Sequence, residues 1–308
     1  MRLPEGIENM TYLKALRAPF LAGSLVTVLV GSAYAFLRGT FSPALLGITL
    51  LGVGCLHLGA NLLNDYYDAR GSDPINLRLT PFSGGSRVIQ EGKISAGKVL
   101  AMAFFFLGAG VASGIWLIYL NRPLVALFGG LGLFSSWVYS ASPFEWMSKG
   151  LGELVIFLAF GPLITLGTFY VMTNGVSLPA FLIGFPQGFL VVAIIWINEF
   201  PDFQADAKVG KRNLVVRIGL KASRYWYAAI VLSAFASVVF LVGVVGLPYL
   251  IMISFAALPL AFKAIKVLWK EYRSHEGLVP AQAITIQTVI ATGLLVSLGL
   301  VLSRFLGE

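Results

Sequence analysis

Nine apolar stretches, each long enough to cross a bilayer, recur along this chain. They fall at roughly 14–37, 43–64, 96–120, 123–141, 151–173, 178–198, 223–245, 247–269 and 280–304. The composition agrees with a lipid solvent. Of the 308 residues, 57% are hydrophobic and only 12% charged, against about 25% charged in a soluble domain. A chain so poor in charge cannot cover a water-facing surface. The single cysteine, Cys55, excludes an intrachain disulfide and a thiolate metal site. His57 and His275 are far apart in sequence, so a zinc site or a His-centred triad lacks its parts. The stretch from Met1 to Met10 mixes Arg2, Glu5 and Glu8 and precedes a long apolar run without a cleavage pattern. It reads as the start of the first membrane helix of the mature chain. The expected fold is all-α and polytopic, with nine transmembrane helices forming one membrane domain over 1–308.

The charges orient these helices. With the N-terminus inside, every Lys and Arg falls on the inner face except Arg38, Arg122 and Arg304. The positive-inside rule then gives a cytoplasmic N-terminus and an external C-terminus in the plasma membrane. The net charge of +8 is explained by this topology and by attraction to anionic lipid. The bases are spread over several short loops, so no nucleic-acid partner is expected.

Every acidic residue except Glu308 maps to the same inner face. Acids contribute little to topology, so the aspartates need their own explanation. The second span ends in Asn61-Leu-Leu-Asn64-Asp65-Tyr-Tyr-Asp68, followed by Arg70 and Asp73. The sixth ends in Asn198-Glu199-Phe-Pro-Asp202-Phe-Gln-Ala-Asp206, followed by Lys208, Lys211 and Arg212. Each has an Asn, an Asp four residues later and a further Asp after three or four more. At helical spacing these share one face. The repetition suggests a duplication of four-helix halves, 1–141 and 142–270, around a central cavity, with 280–304 as an extra helix. Gathered carboxylates repel one another, and desolvating them is costly. Mg²⁺ resolves both problems, because it binds through a few carboxylates together with substrate phosphates. Two facing clusters suit a diphosphate held between two Mg²⁺ ions. Arg70, Arg78, Arg87, Lys93, Lys208, Lys211 and Arg212 are close enough in sequence to neutralise the remaining phosphate charge. Ordinary solvated loop charges are the plainer reading of either cluster alone; two matched clusters, each fused to a span end, argue against it.

At these residues the chain resembles the UbiA-type intramembrane aromatic prenyltransferases, which carry N-D-x-x-D-x-x-x-D after one helix and D-x-x-x-D after another. The second motif is intact as Asp202 to Asp206. The first reads Asn64-Asp65-Tyr-Tyr-Asp68 with Asp73 one residue late and Ser72 in the usual place of the last Asp. That longer spacing resembles the branch that prenylates dihydroxynaphthoate for menaquinone. So do Gly150 to Glu153 with Phe160-Gly-Pro162, Arg78 to Gly85, and Gly210 to Gly219. The resemblance implies that Mg²⁺ and bases draw the diphosphate from an allylic prenyl chain. An electron-rich acceptor then attacks the carbocation and loses a proton.

From residue chemistry and resemblance together, the expected site has three parts. Asn61, Asp65, Asp68, Asp202 and Asp206 surround the metal. Asn64, Arg70, Arg78, Tyr139, Lys149, Asn198 and Lys211 face the diphosphate. Arg17, expected about one turn inside the first span, is either a snorkelling anchor or a contact for an anionic acceptor. Tyr139 and Lys149 can equally be interfacial anchors. Glu153, a carboxylate inside a span start, would orient the acceptor or take a proton. His57 reads as a packed polar residue. Acceptors other than a naphthoate, such as hydroxybenzoate or geranylgeranylglyceryl phosphate, are not separated by sequence. A CDP-alcohol phosphotransferase would need Gly where Ala69 stands and its aspartates close together. A transporter would place its polar residues at the midplane; here they gather at one face.

Overall fold

The computed structural model describes the backbone of residues 5–307 and the side chains of 11–307; Arg2 and Glu308 of the charge map lie outside. All regular structure among these residues is helical, apart from an isolated bridge between Thr80 and Ser83. Helices close their backbone hydrogen bonds internally, which a segment in hydrocarbon requires.

After a short α1 (Glu5–Leu16), eight helices are long and apolar enough to cross a membrane. They are α2 (Ala18–Leu37), α3 (Pro43–Asp68), α4 (Ala96–Tyr119), α6 (Gly152–Thr173), α7 (Leu178–Lys208), α9 (Leu220–Gly243), α10 (Tyr249–Glu271) and α11 (His275–Leu306). Between them stand α5 (Val125–Ser140), an apolar helix of 16 residues, and the single-turn α8 (Leu214–Ile218). At 1.5 Å per residue α5 covers about 24 Å, short of a full hydrocarbon crossing but in its expected place. The protein is an integral membrane protein.

Local chemistry sets the helix starts. Ser42 accepts from the Leu45 amide with Pro43 in the first turn, and Ser177 caps Ala180 ahead of Pro179. Ser95, Asn213 and Ser274 cap three further helices in the same way. The ends differ from the polarity-based expectation in two instructive ways. α3 runs on past 64 to Asp68 and α7 past 198 to Lys208. The motif carboxylates are therefore carried on helix, as their spacing requires. The first span, in contrast, does not begin at 14. Arg17 adopts φ 50°, ψ 44° and breaks the chain between α1 and α2, a left-handed conformation uncommon for a residue with a Cβ. Arg17 thus sits at a helix junction, not inside the span.

Lipid tails are as apolar as leucine, so packing rather than water exclusion holds such helices together. α7 is the most enclosed, with α6, α9 and α11 against it. Trp196 donates to the Ser223 carbonyl at 2.9 Å, and Tyr227 meets Thr285 at 2.6 Å. The α6–α7 crossing brings main chains together: a Cβ on Gly161 would collide with the backbone of Gly184 and Gly188. At that crossing α6 relaxes into a π-turn over Ala159–Leu163, where Pro162 has no amide to offer. Helices α2 to α7 surround a cavity, while α9 to α11 buttress α7 and α2 from behind.

Candidate active site

The cavity encloses about 300 Å³. Its far part is apolar and lined by Ile48, Gly52, Leu117, Phe128 and Gly129; its mouth is polar. The two motif helices arrive at that mouth together. Asp202 and Asp206 line it from α7, and Asp68 lines it from the end of α3. Asp73, in the loop beyond α3, completes the set.

Each carboxylate has neutral donors on one side. Asp202 accepts from the Asn76 amide at 2.6 Å and from the Gly84 N–H at 3.3 Å. Asp206 accepts from Asn213 at 3.1 Å, Asp68 from Asn64 at 3.1 Å, and Asp73 from Gln90 at 3.3 Å. The loop of residues 69–95 folds back over the mouth, so that Phe82, Ser83, Gly84 and Gly85 become part of the wall. Gly85 has φ +70°, and a Cβ there would strike the Asp73 carboxylate, so glycine is required on both counts.

Lys211 joins the two arms. Its ammonium lies 2.7 Å from Asp68 and 3.5 Å from Asp206. Burial alone would favour loss of its proton, but Asp68 and Asp206 outweigh burial and hold it above the ordinary lysine range. Burial, with Asp68 and Asp65 nearby, raises the Asp73 carboxyl to about 7. The Lys211 ammonium between the arms is thus part of the site's charge balance. Among the described residues, no three His, Cys, Asp or Glu side chains converge as a self-sufficient metal cage. Mg²⁺ does not need one, since it keeps waters and binds with substrate phosphates. Oxygen donors on facing walls, bridged by a cation, fit that kind of metal.

The expected site residues separate into two groups. Asn61, Asn64, Asp68, Tyr139, Asn198, Asp202, Asp206, Lys211 and Arg17 all line the cavity. Arg17 reaches it from the helix break, donating to Asn64 at 3.4 Å and to the Phe82 carbonyl at 3.5 Å, with its guanidinium over Phe20. Asn198 accepts from Gln282 at 2.9 Å, and Asn61 donates to the Leu16 carbonyl at 3.5 Å.

The other expected site residues do not line the cavity. Asp65 stands behind the wall; both its oxygens accept from the Ser86 N–H, and Arg17 lies 3.8 Å away. Its burial keeps the turned-back loop attached to α3. Glu153 is buried outside the cavity, where it accepts from the Leu214 N–H at 2.9 Å and so anchors the start of α8 to α6. Arg70 is exposed, over Tyr66. Arg78 donates to the Arg273 carbonyl and Lys149 to the Pro143 carbonyl, so both tie loops rather than face the cavity. Lys208 and Arg212 are exposed, Lys93 pairs with Glu91, and Arg87 donates to the Asp73 carbonyl. His57 is packed, as expected, but on the cavity wall, at 2.6 Å from Ser24 and edge-on to Phe160.

Sequence reasoning noted Asp73 in the motif but left it out of the expected site, and it missed Asn76, Glu199 and Asn213. Asn213 carried a signal, as a cap residue just after the second motif. Glu199 carried one too, a carboxylate within the helix of that motif. Asn76 lies in an irregular loop and carried none.

Comparison with known proteins gives the family and the fold. The model of the UbiA prenyltransferase family matches residues 24–279. The chain is 27% identical to the 1,4-dihydroxy-2-naphthoate octaprenyltransferase of Escherichia coli, over 96% of this chain and 97% of that protein. It is 30% identical to the protein of the same name from Haemophilus influenzae, over 69% and 70%. Among solved structures, a UbiA homolog from Aeropyrum pernix superposes with a TM-score of 0.67 at 18% identity, over 89% of this chain and 98% of that one. A UbiA homolog from Archaeoglobus fulgidus bound to DMAPP and Mg²⁺ gives 0.62 at 18%, over 93% and 99%. With most of its length matched by the family model and its fold shared with these homologs, the chain belongs to the UbiA prenyltransferase family and is an intramembrane prenyltransferase.

Proposed function

We propose that the protein transfers a long prenyl chain from its diphosphate to a hydroxylated aromatic acceptor of the dihydroxynaphthoate type. The observation that carries this reading is the pairing of Asp68 and Asp73 with Asp202 and Asp206 across the polar mouth of an apolar cavity, with Lys211 between them. Asp68, Asp73, Asp202 and Asp206 would hold Mg²⁺, two ions in our reading. Bound there, the metal would neutralise the diphosphate and make it a better leaving group. Lys211 would move its ammonium from the carboxylates to phosphate oxygens, and Asn64 and Arg17 would add donors beside them. Asn61 and Asn198 would support the metal end, and Tyr139 would close the wall opposite.

The apolar part suits the chain. The cavity wall on α3 extends from Ile48 to Asp68, about 30 Å of helix. That matches the thickness of the hydrocarbon core and accommodates a tail of several isoprene units. Phe20, Phe82 and Phe160 line the region below the mouth. They would exclude water and offer ring faces to an allylic cation. The C1–O bond breaks with its electron pair leaving on diphosphate. A ring π pair of the acceptor forms the new C–C bond, and loss of a ring proton restores aromaticity. With the basic loops inside, the mouth opens to the cytoplasmic face of the plasma membrane.

The relatives' names favour a naphthoate acceptor. The test is incubation of purified protein with Mg²⁺, isoprenyl diphosphates of graded length, and dihydroxynaphthoate, hydroxybenzoate or geranylgeranylglyceryl phosphate. A prenylated naphthoate, abolished by EDTA, is expected. Exclusive turnover of another acceptor would replace the naphthoate assignment. Transmembrane flux of substrate without product would favour a transporter instead.

A further inference from the structure

Glu199 is the one motif-helix carboxylate whose situation the diphosphate site does not explain. It lines the cavity one turn before Asp202, about 4.5 Å deeper along the axis of α7. Its Oε2 is buried and has no hydrogen-bond partner among the described residues. The four carboxylates at the mouth all accept from amides, from a backbone N–H or from Lys211. Glu153, the acid that sequence singled out, also has an unpartnered Oε2, but its Oε1 accepts from the Leu214 N–H and the residue does not line the cavity. Leaving a buried carboxylate oxygen without a donor is costly, and a ligand that brings a donor removes that cost.

The position limits the ligand. Glu199 lies between the carboxylates that would hold the diphosphate and the apolar tail region, at the depth where the prenyl C1 must meet the acceptor ring. A phosphate or a carboxylate there would be repelled, and an isoprenoid tail has nothing to donate. A ring hydroxyl does. Resting on the function proposed above, we infer that Glu199 accepts a hydrogen bond from a hydroxyl of the aromatic acceptor and so selects hydroxylated rings. That bond draws electron density toward the ring carbons that attack C1. An acceptor bearing both groups turns its hydroxyl edge, not its carboxylate, toward α7.

The test compares wild type with E199Q and E199D, using 1,4-dihydroxy-2-naphthoate and its two mono-O-methyl ethers as acceptors. Mg²⁺-dependent binding of geranylgeranyl diphosphate is measured in parallel as the control for folding and for the diphosphate site. E199Q should keep that binding and lower kcat/KM for the dihydroxy acceptor by about 10- to 100-fold. For one methyl ether, already poor with wild type, E199Q should change kcat/KM less than twofold, and E199D should recover part of the dihydroxy rate. Equal losses on all three acceptors, or no loss on any, would overturn the assignment of Glu199. Donor binding by wild type without prenylation of any naphthoate would overturn the acceptor reading, and this inference with it.

Discussion

The two carboxylate arms look alike in sequence and are built differently. On α7 the helix continues for a further turn beyond Asp202, so Asp202 and Asp206 project from one rigid face into the cavity. On the first arm α3 stops at Asp68. Asp65, the counterpart of Asp202, turns to the Ser86 amide, and Asp73 from the returning loop supplies the second cavity carboxylate. One arm is a preformed pair; the other is a pair assembled by folding a loop of more than twenty residues back onto its own helix. A repeated motif therefore need not mean a repeated geometry. The same spacing can place a carboxylate in the site or have it hold up the segment that completes the site.

Six substitutions probe that difference, from the largest expected effect to the smallest. Asp202→Ala removes a direct cavity carboxylate from the rigid arm, and transfer should fall about 1000-fold with helix packing intact, read as product formation by folded protein. Lys211→Met removes the cation that joins the arms and should cost about 100-fold. Because Asp68 and Asp206 then face each other uncompensated, its apparent Mg²⁺ requirement should also change.

Asp65→Asn acts on the assembled arm through its loop. It weakens the acceptance from Ser86, costing about 1–3 kcal/mol of loop order. Faster amide hydrogen exchange over residues 69–95 should accompany a loss of activity of about 10-fold or more. Unchanged exchange there would mean that Asp65 acts in the cavity like its counterpart. Arg70→Ala, Arg78→Ala and Lys149→Ala should each change turnover less than about twofold and stability by no more than about 0.5 kcal/mol. A large loss in any of them would restore the phosphate role that their sequence position suggested.

The same contrast shows what was legible beforehand. Hydrophobic length located the spans to within a few residues at most ends, because lipid imposes one solution on the backbone. Helical spacing found both motif arms and put the asparagines beside them. It failed where a residue's direction depends on chain that returns from elsewhere. Arg17 was placed in a span because apolar residues continue across it, yet a left-handed turn puts it at the mouth. Arg70 and Arg78 belong to a basic segment, but sequence proximity to an aspartate does not aim a side chain. Direction likewise separates Glu153, expected beside the acceptor, from Glu199, to which sequence assigned no role. An acid at a helix start found a backbone N–H across the bundle at Leu214, while one hidden among the motif residues was left facing the cavity.

In the proposed function both arms grip a single Mg²⁺-diphosphate. Equilibrium binding of geranylgeranyl diphosphate with and without Mg²⁺, on wild type, Asp68→Asn, Asp202→Asn and the double variant, tests this most directly. If one ligand bridges the arms, either single change should remove most of the Mg²⁺-dependent affinity, and the double should lose little more. Independent losses that add in the double variant, or full Mg²⁺-dependent binding in either single, would contradict it.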